Sequence, residues 1–328
     1  MNPTGRITAA VTTLAATAVV AVAGSATACP GDRTPQPRLY TFTSDANGFD
    51  TQTHFLDTGK SVIAFDAQFT PEYARQALAY LRTRTDHPVK YVVVTHPNPD
   101  KFQGVPVFQA AGAVAVASEA TAADLDGVWK YKKNYFVNAT KMFDESAYPA
   151  LPAMDKTFKQ HERLTVDGVT VDLDVLAAPG VSTSQTIATI PALKSVVVGD
   201  LVHHDTHAWL EGGIVDGRPT PTLNGWKRDL DEIRRRVPAR WTVYGGRGSS
   251  APVDEAVTQQ KDYLETAGLD VRRMVAALTP AQRTSALANP SRLVSGLTGR
   301  LTAQYPSYRL PYMIGYGSYG LVTQHLAH

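Results

Sequence analysis

Residues 91–104 read YVVVTHPNPDKFQG. The run 91–94 is apolar and mostly β-branched. It breaks at once into Thr95-His96-Pro97-Asn98-Pro99-Asp100-Lys101, and Gly104 closes the stretch. A buried strand that ends in a short polar loop delivers side chains to one fixed place at a sheet edge. Upstream, strands are expected over 39–42, 54–56 and 61–65, the last ending at Asp66. A helix is expected over 71–84, with Pro71 and Glu72 suited to a first turn and Tyr73, Ala77, Leu78 and Leu81 at helical spacing. Downstream, a helix over 105–111 opens directly after the polar loop, and a strand over 114–117 follows.

This alternation of strand and helix is α/β logic. The second half changes character: short strands over 164–166, 169–176, 186–190 and 195–198 are separated by turns such as Asp167-Gly168 and Pro179-Gly180. An amphipathic helix over 223–236 carries Trp226, Leu230 and Ile233 on one face. A last strand over 241–244 runs into Gly245-Gly246-Arg247-Gly248. Two sheets with helices outside, and polar loops gathered at one edge, fit this pattern.

The loop 95–104 resembles the metallo-β-lactamase superfamily motif T-H-x-H-x-D-H-x-x-G. Three further segments are similar to that family's other ligand loops: Pro179-Gly180-Val181-Ser182-Thr183, Val196-Val197-Val198-Gly199-Asp200 and Gly245-Gly246-Arg247-Gly248. The resemblance runs over residues 39–265 or thereabouts. It implies an α/β fold, the four-layer αββα sandwich, over 39–269. A helical, aromatic insertion would occupy 124–161 and a helical, Tyr-rich C-terminal extension 270–328.

The same resemblance implies a site for two zinc ions, but most of its histidines are replaced. His96, Asp100 and Asp200 stand at retained ligand positions, whereas Asn98, Lys101, Val181 and Arg247 stand where the family has histidines. Lysine and arginine are cationic donors at neutral pH and repel a divalent ion. No tightly bound cofactor is therefore expected, and at most one zinc or other divalent metal. Two introduced cations against two retained carboxylates suggest that Lys101 and Arg247 fill the vacated metal sites as ion-pair partners, because an unpaired buried charge is strongly unfavourable. The alternative is that both point to solvent. His203, His204 and His207 follow Asp200 closely. They either rebuild one metal site with His96 or line the pocket together with Asn98 and Ser182.

Two functions are compatible with these residues. One is a hydrolase of an ester, lactone or related acyl compound. In it His96 acts as general base, oriented by Asp100 or Asp200, and Lys101 and Arg247 stabilise the oxyanion. The other is a non-catalytic protein that binds an anionic small molecule or partner through the former active-site pocket.

The first 28 residues read as a secretory signal peptide. Arg6 precedes an apolar stretch over 7–22, and Ala26-Thr27-Ala28 forms an A-x-A cleavage site. A membrane span needs about 20 apolar residues, and Thr12, Thr13 and Thr17 interrupt this run. Export to the cell surface or the exterior follows. Cys29, the sole cysteine, has no internal disulfide partner. It either stays a free thiol or carries a lipid anchor, although the preceding residues make a poor lipoprotein signal. Residues 29–38 read as a linker. The 32 Lys and Arg nearly balance 30 Asp and Glu, for a formal charge of +2. No basic tract marks nucleic acid binding, and no second apolar run suggests a span. A small-molecule ligand is the expected partner.

Overall fold

The structure, a computed structural model, describes residues 36–327. The leader 1–28, Cys29 and most of the linker expected over 29–38 lie outside the described residues.

Two six-stranded sheets form the centre. The first is β1 (Arg38–Thr43), β2 (Gln52–Asp57), β3 (Val62–Phe65), β4 (Val89–Val93), β5 (Val114–Ser118) and β6 (Lys156–Phe158), in that spatial order. β1, β2 and β3 run antiparallel, and β3 to β6 parallel. Three helices cover its outer face: α1 (Pro71–Arg82), α3 (Val105–Ala110), which follows the short α2 (Pro99–Phe102), and α4 (Glu119–Lys133). α1 starts where expected. The Thr70 hydroxyl accepts from the Tyr73 amide, Pro71 opens the first turn, and Ala74, Ala77 and Leu81 are buried.

The second sheet comprises β7 (His161–Val166), β8 (Val169–Leu176), β9 (Gln185–Ile190), β10 (Ser195–His204), β13 (Thr242–Gly248) and β14 (Ala251–Pro252). Only β10 and β13 pair parallel in it. A small hairpin, β11 (Gly213–Val215) with β12 (Arg218–Thr220), stands apart. α5 (Leu223–Arg236) and α6 (Val253–Ala276) lie on the outer face. The C-terminal helices α7 (Pro280–Ala288), α8 (Ser291–Gln304), α9 (Tyr312–Gly317) and α10 (Tyr319–Ala327) follow, with α8 and α10 packed against α6.

The layers are legible in the packing. Ile63, Phe65 and Val93 meet Val171, Leu173 and Val197 between the sheets. Val92 and Val94 face the helices of the first sheet. A strand buried on both faces must read as continuous apolar sequence, which explains residues 91–94. The chain is thus an α/β sandwich of four layers with added C-terminal helices.

Several boundaries differ from expectation. β10 continues to His204 instead of ending at 198, so His203 and His204 are strand residues with opposed side chains. β13 includes Gly245-Gly246-Arg247-Gly248 rather than ending before it. α6 runs unbroken across the 269/270 boundary expected from sequence. Segment 124–161 begins within α4, continues as a π-helix over Asn134–Ala139, and ends by adding β6 to the first sheet.

Candidate functional site

The parallel strands deliver their ends to one edge. Beyond β4 come Thr95 and His96, and the chain then turns into α2, which carries Asp100 and Lys101. The turn is held by backbone bonds from Asn98 to His96 (2.9 Å) and from Lys101 to Asn98 (2.8 Å). The Ala67 amide donates to the Lys101 carbonyl at 2.8 Å and ties the turn to the end of β3. β10 supplies Asp200 and its neighbour β13 supplies Arg247. Their pairing slips between Val197 and Gly199, and again before His203, with Gly199 at φ +53°. Such an irregularity re-aims the side chains beside it.

Four charged groups meet there. Lys101 Nζ lies 2.8 Å from Asp100 Oδ2 and 2.8 Å from Asp200 Oδ1. Arg247 Nη2 lies 2.9 Å from Asp100 Oδ2, and Nη1 lies 2.7 Å from Asp200 Oδ2. Each carboxylate therefore faces both cations. Arg247 Nε donates to the Phe49 carbonyl at 2.7 Å, and Nη2 to Thr51 Oγ1 at 3.1 Å. Phe49 and Asp50 adopt left-handed backbone at φ 61° and 49°, an unfavourable state for a bulky side chain. Strain of this kind persists only where surrounding contacts over-determine it; here one such contact is the bond from Arg247.

Burial alone would raise the Asp100 pKa, but Lys101 and Arg247 outweigh it and hold the carboxyl at about 2. Asp200 is likewise buried and is held well below the carboxylate range by Arg247 and Lys101. Burial disfavours the charge on Lys101, yet Asp100 and Asp200 raise its pKa. The four groups thus remain ionised together, with no net charge among them.

His96 and Asp66 extend the cluster. The Thr95 hydroxyl donates to Asp66 Oδ1 at 2.9 Å and lies 2.9 Å from His96 Nδ1. With its proton given to Asp66, that hydroxyl accepts from His96. His96 Nε2 then faces Asp200 Oδ2 at 3.7 Å, beyond hydrogen-bond reach. Burial pushes Asp66 up to about 6 against the pull of Lys101 and His96.

An aromatic lid seals the edge. Phe49, Phe69, Phe136 and Trp209 close over Asn98, Asp100, Asp200 and Arg247, and leave a cavity of about 20 Å³. That is room for roughly one water. Phe49 packs on Phe69, Phe136, Trp209 and Tyr316. The lid carries its own buried ion pair, Lys132 with Glu211. Trp209 Nε1 donates to Glu211 at 3.0 Å and Tyr131 Oη at 3.2 Å. From the C-terminal helices, Tyr312 Oη donates to Asp50 Oδ2 at 2.5 Å.

The remaining candidates scatter. Asn98 lines the cavity, whereas Ser182 is buried beside a tight turn in which the Gly180 amide donates to the Ser182 carbonyl. Val181 packs in the apolar cluster beneath α5. His203 is buried next to Trp226, and burial lowers its pKa to about 3. His204 turns to Ser249, Asp205 and Glu255, and His207 to Tyr263 and Tyr308. None of these three histidines lines the small cavity. Among the described residues, no three His, Cys, Asp or Glu side chains gather at metal-ligand spacing. The expectation of a single metal site rebuilt from His203, His204 and His207 with His96 is therefore corrected. Alternation along β10 and the turn after it send the three rings in different directions.

Sequence reasoning missed Asp66, Thr51, Phe49, Lys132 and Glu211. Only Asp66 left a signal, as a carboxylate closing a buried strand.

The profile of the Metallo-beta-lactamase superfamily matches residues 46–245. No curated protein matches the sequence. Among solved structures, a metallo-β-lactamase from Pontibacter korlensis is 19% identical at a TM-score of 0.52, covering 70% of this chain and 95% of its own. TMB-1 is 15% identical at 0.51, covering 71% and 94%. The DIM-1 metallo-β-lactamase exposed to ceftazidime is 17% identical at 0.51, covering 72% and 100%. More than half of the chain falls within the family profile, and the two-sheet core agrees with it: the chain belongs to the metallo-β-lactamase superfamily.

Proposed function

We propose that this chain is an exported, non-hydrolytic member of its superfamily, in which a protein-only ion cluster takes the place of the metal centre and the protein acts by binding. The observation that carries the reading is Lys101. Its ammonium is fully buried and bridges Asp100 and Asp200 at 2.8 Å each. The residues present do not fit two zinc ions. Both carboxylates already face two fixed cations, and a divalent ion would have to displace an ammonium and a guanidinium from them. Catalysis by His96 is disfavoured on the same grounds. A general base must reach a water and an acyl carbon together, and a cavity of about 20 Å³ admits roughly one water and no acyl group. Nor does the former pocket favour an anion, since Lys101 and Arg247 are already neutralised.

The test is metal content and turnover on the same dialysed sample. Fewer than two zinc ions per chain, with no zinc-dependent hydrolysis of a β-lactam, a lactone, an aryl ester or a thioester, is expected. Two tightly held zinc ions, or turnover that is lost on Lys101→Met, would overturn the reading.

A further inference from the structure

A second, larger cavity lies away from the ion cluster, where the C-terminal helices meet the family fold. It measures about 620 Å³, within the range of small-molecule sites. Its charged lining is one-sided: Arg228 from α5, Arg272 from α6 and Arg283 from α7, with no Asp or Glu among the lining residues. Its floor is apolar, with Val275 and Leu321 buried and Leu223 partly so.

The arginines are weakly engaged. Arg228 makes no ion pair among the described residues. Arg272 meets Glu265 only at 3.7 Å, with half of each side chain exposed. Arg283 donates a long 3.4 Å bond to the His325 carbonyl. Arginine offers a planar fork of donors that matches carboxylate and phosphate oxygens in pairs. The first turn of α5 borders the same cavity. Its N-cap Thr222 donates to the Pro179 carbonyl at 2.9 Å and does not cap the helix, so the helix end adds positive potential of the same sign.

We infer that this cavity is a binding site for a small amphipathic anion, with the acidic head among Arg228, Arg272 and Arg283 and the apolar body over Val275 and Leu321. Three guanidinium groups without an acid in the lining select the charge. The apolar floor, and a volume far larger than one oxyanion needs, select a ligand with a hydrocarbon or aryl body. The site is built by α7 and α10 against α5 and α6. It lies outside the sealed edge and does not depend on the state of the ion cluster.

Isothermal titration of the mature chain with octanoate and octyl phosphate tests this, with octanol and inorganic phosphate as the separated halves. Saturable binding of one anion per chain is expected, at least tenfold tighter than either half. Arg228→Glu with Arg283→Glu should weaken it at least tenfold while the chain stays folded by circular dichroism, because the first side chain is exposed and the second partly so. Leu223→Ser, at a partly buried lining residue, should weaken octanoate more than inorganic phosphate. Octanol binding as tightly as octanoate, phosphate alone binding as tightly, or the double variant keeping full affinity would each overturn the site. So would cosedimentation with phosphatidylglycerol vesicles in place of octanoate binding.

Discussion

Gly246 lies so close to Asp200 that a Cβ at that position would stand 1.8 Å from Asp200 Oδ1. The glycine is what lets β13 pass the carboxylate while its next residue, Arg247, reaches around to grip it. Gly246→Ala should displace Asp200 from both cations. Overpacking typically costs about 1–3 kcal/mol, and the disturbed ion pairs add to that. Denaturant unfolding checks it: a stability within about 0.5 kcal/mol of the parent chain, the usual range for surface changes, would mean that the cluster is not held by this close approach.

Lys101→Met removes one of two cations and leaves two carboxylates facing Arg247 alone. Breaking a buried pair costs about 3–5 kcal/mol. Adding Asp100→Asn removes the stranded charge, so the double variant should be more stable than Lys101→Met by itself. Additive losses in a thermal-melt series would show that Lys101 and Asp100 do not act on one another.

Acid should unfold the chain through buried histidines before it reaches the carboxylates. Burial lowers His54 to about 4 and His203 to about 3 from 6.5. The stability held by their neutral forms is therefore complete above pH 6.5 and is lost as pH falls through 4 and then 3, at about 1.4 kcal/mol per unit for each group. Asp100, held at about 2, adds its loss below 3.8. His203→Gln should flatten the slope between pH 6.5 and 4, read from urea unfolding across that window. An unchanged slope refutes the assignment.

Asp229 has the opposite sign. It is buried, accepts the Ala178 amide at 3.2 Å through one oxygen, and is pushed up to about 7 by burial. A raised carboxylate favours folding most below its unfolded value of 3.8, and that advantage is lost as pH rises through 7. Asp229→Asn should accordingly raise the melting temperature at pH 8 and leave it nearly unchanged at pH 4. A rise of equal size at both pH values would count against a titrating Asp229.

The fold was readable because continuous apolar runs such as 91–94 occur only where a strand is covered on both faces. The polar break at Thr95 marked the edge for the same reason. The meeting of Asp100, Lys101, Asp200 and Arg247 was readable only through the resemblance of three separate loops to the ligand loops of the metallo-β-lactamase superfamily. The lid was not readable. Lys132 and Glu211 are far apart in sequence, and Phe49, Phe136 and Tyr316 come from three distant segments, so no local pattern announces that they converge. The histidines after Asp200 misled, because nothing in the sequence showed that β10 would continue through His204 and turn alternate rings apart.

The bond from Tyr312 to Asp50 joins residues 262 positions apart, and it also fixes an order of events. Contacts so distant in sequence form late, after the loop-closure entropy has been met by the rest of the fold. Both sheets can assemble, and the ion cluster with them, before the C-terminal helices reach Asp50, Phe49 and Trp209. The outer cover that Tyr316 lays on Phe49 and Trp209 waits for a chain that has been synthesised past residue 316. A nascent or clipped form ending near residue 304 would therefore leave Phe49 and Trp209 without the ring of Tyr316 that packs on both, so the last helices finish the cover of an edge that the rest of the chain has already shaped.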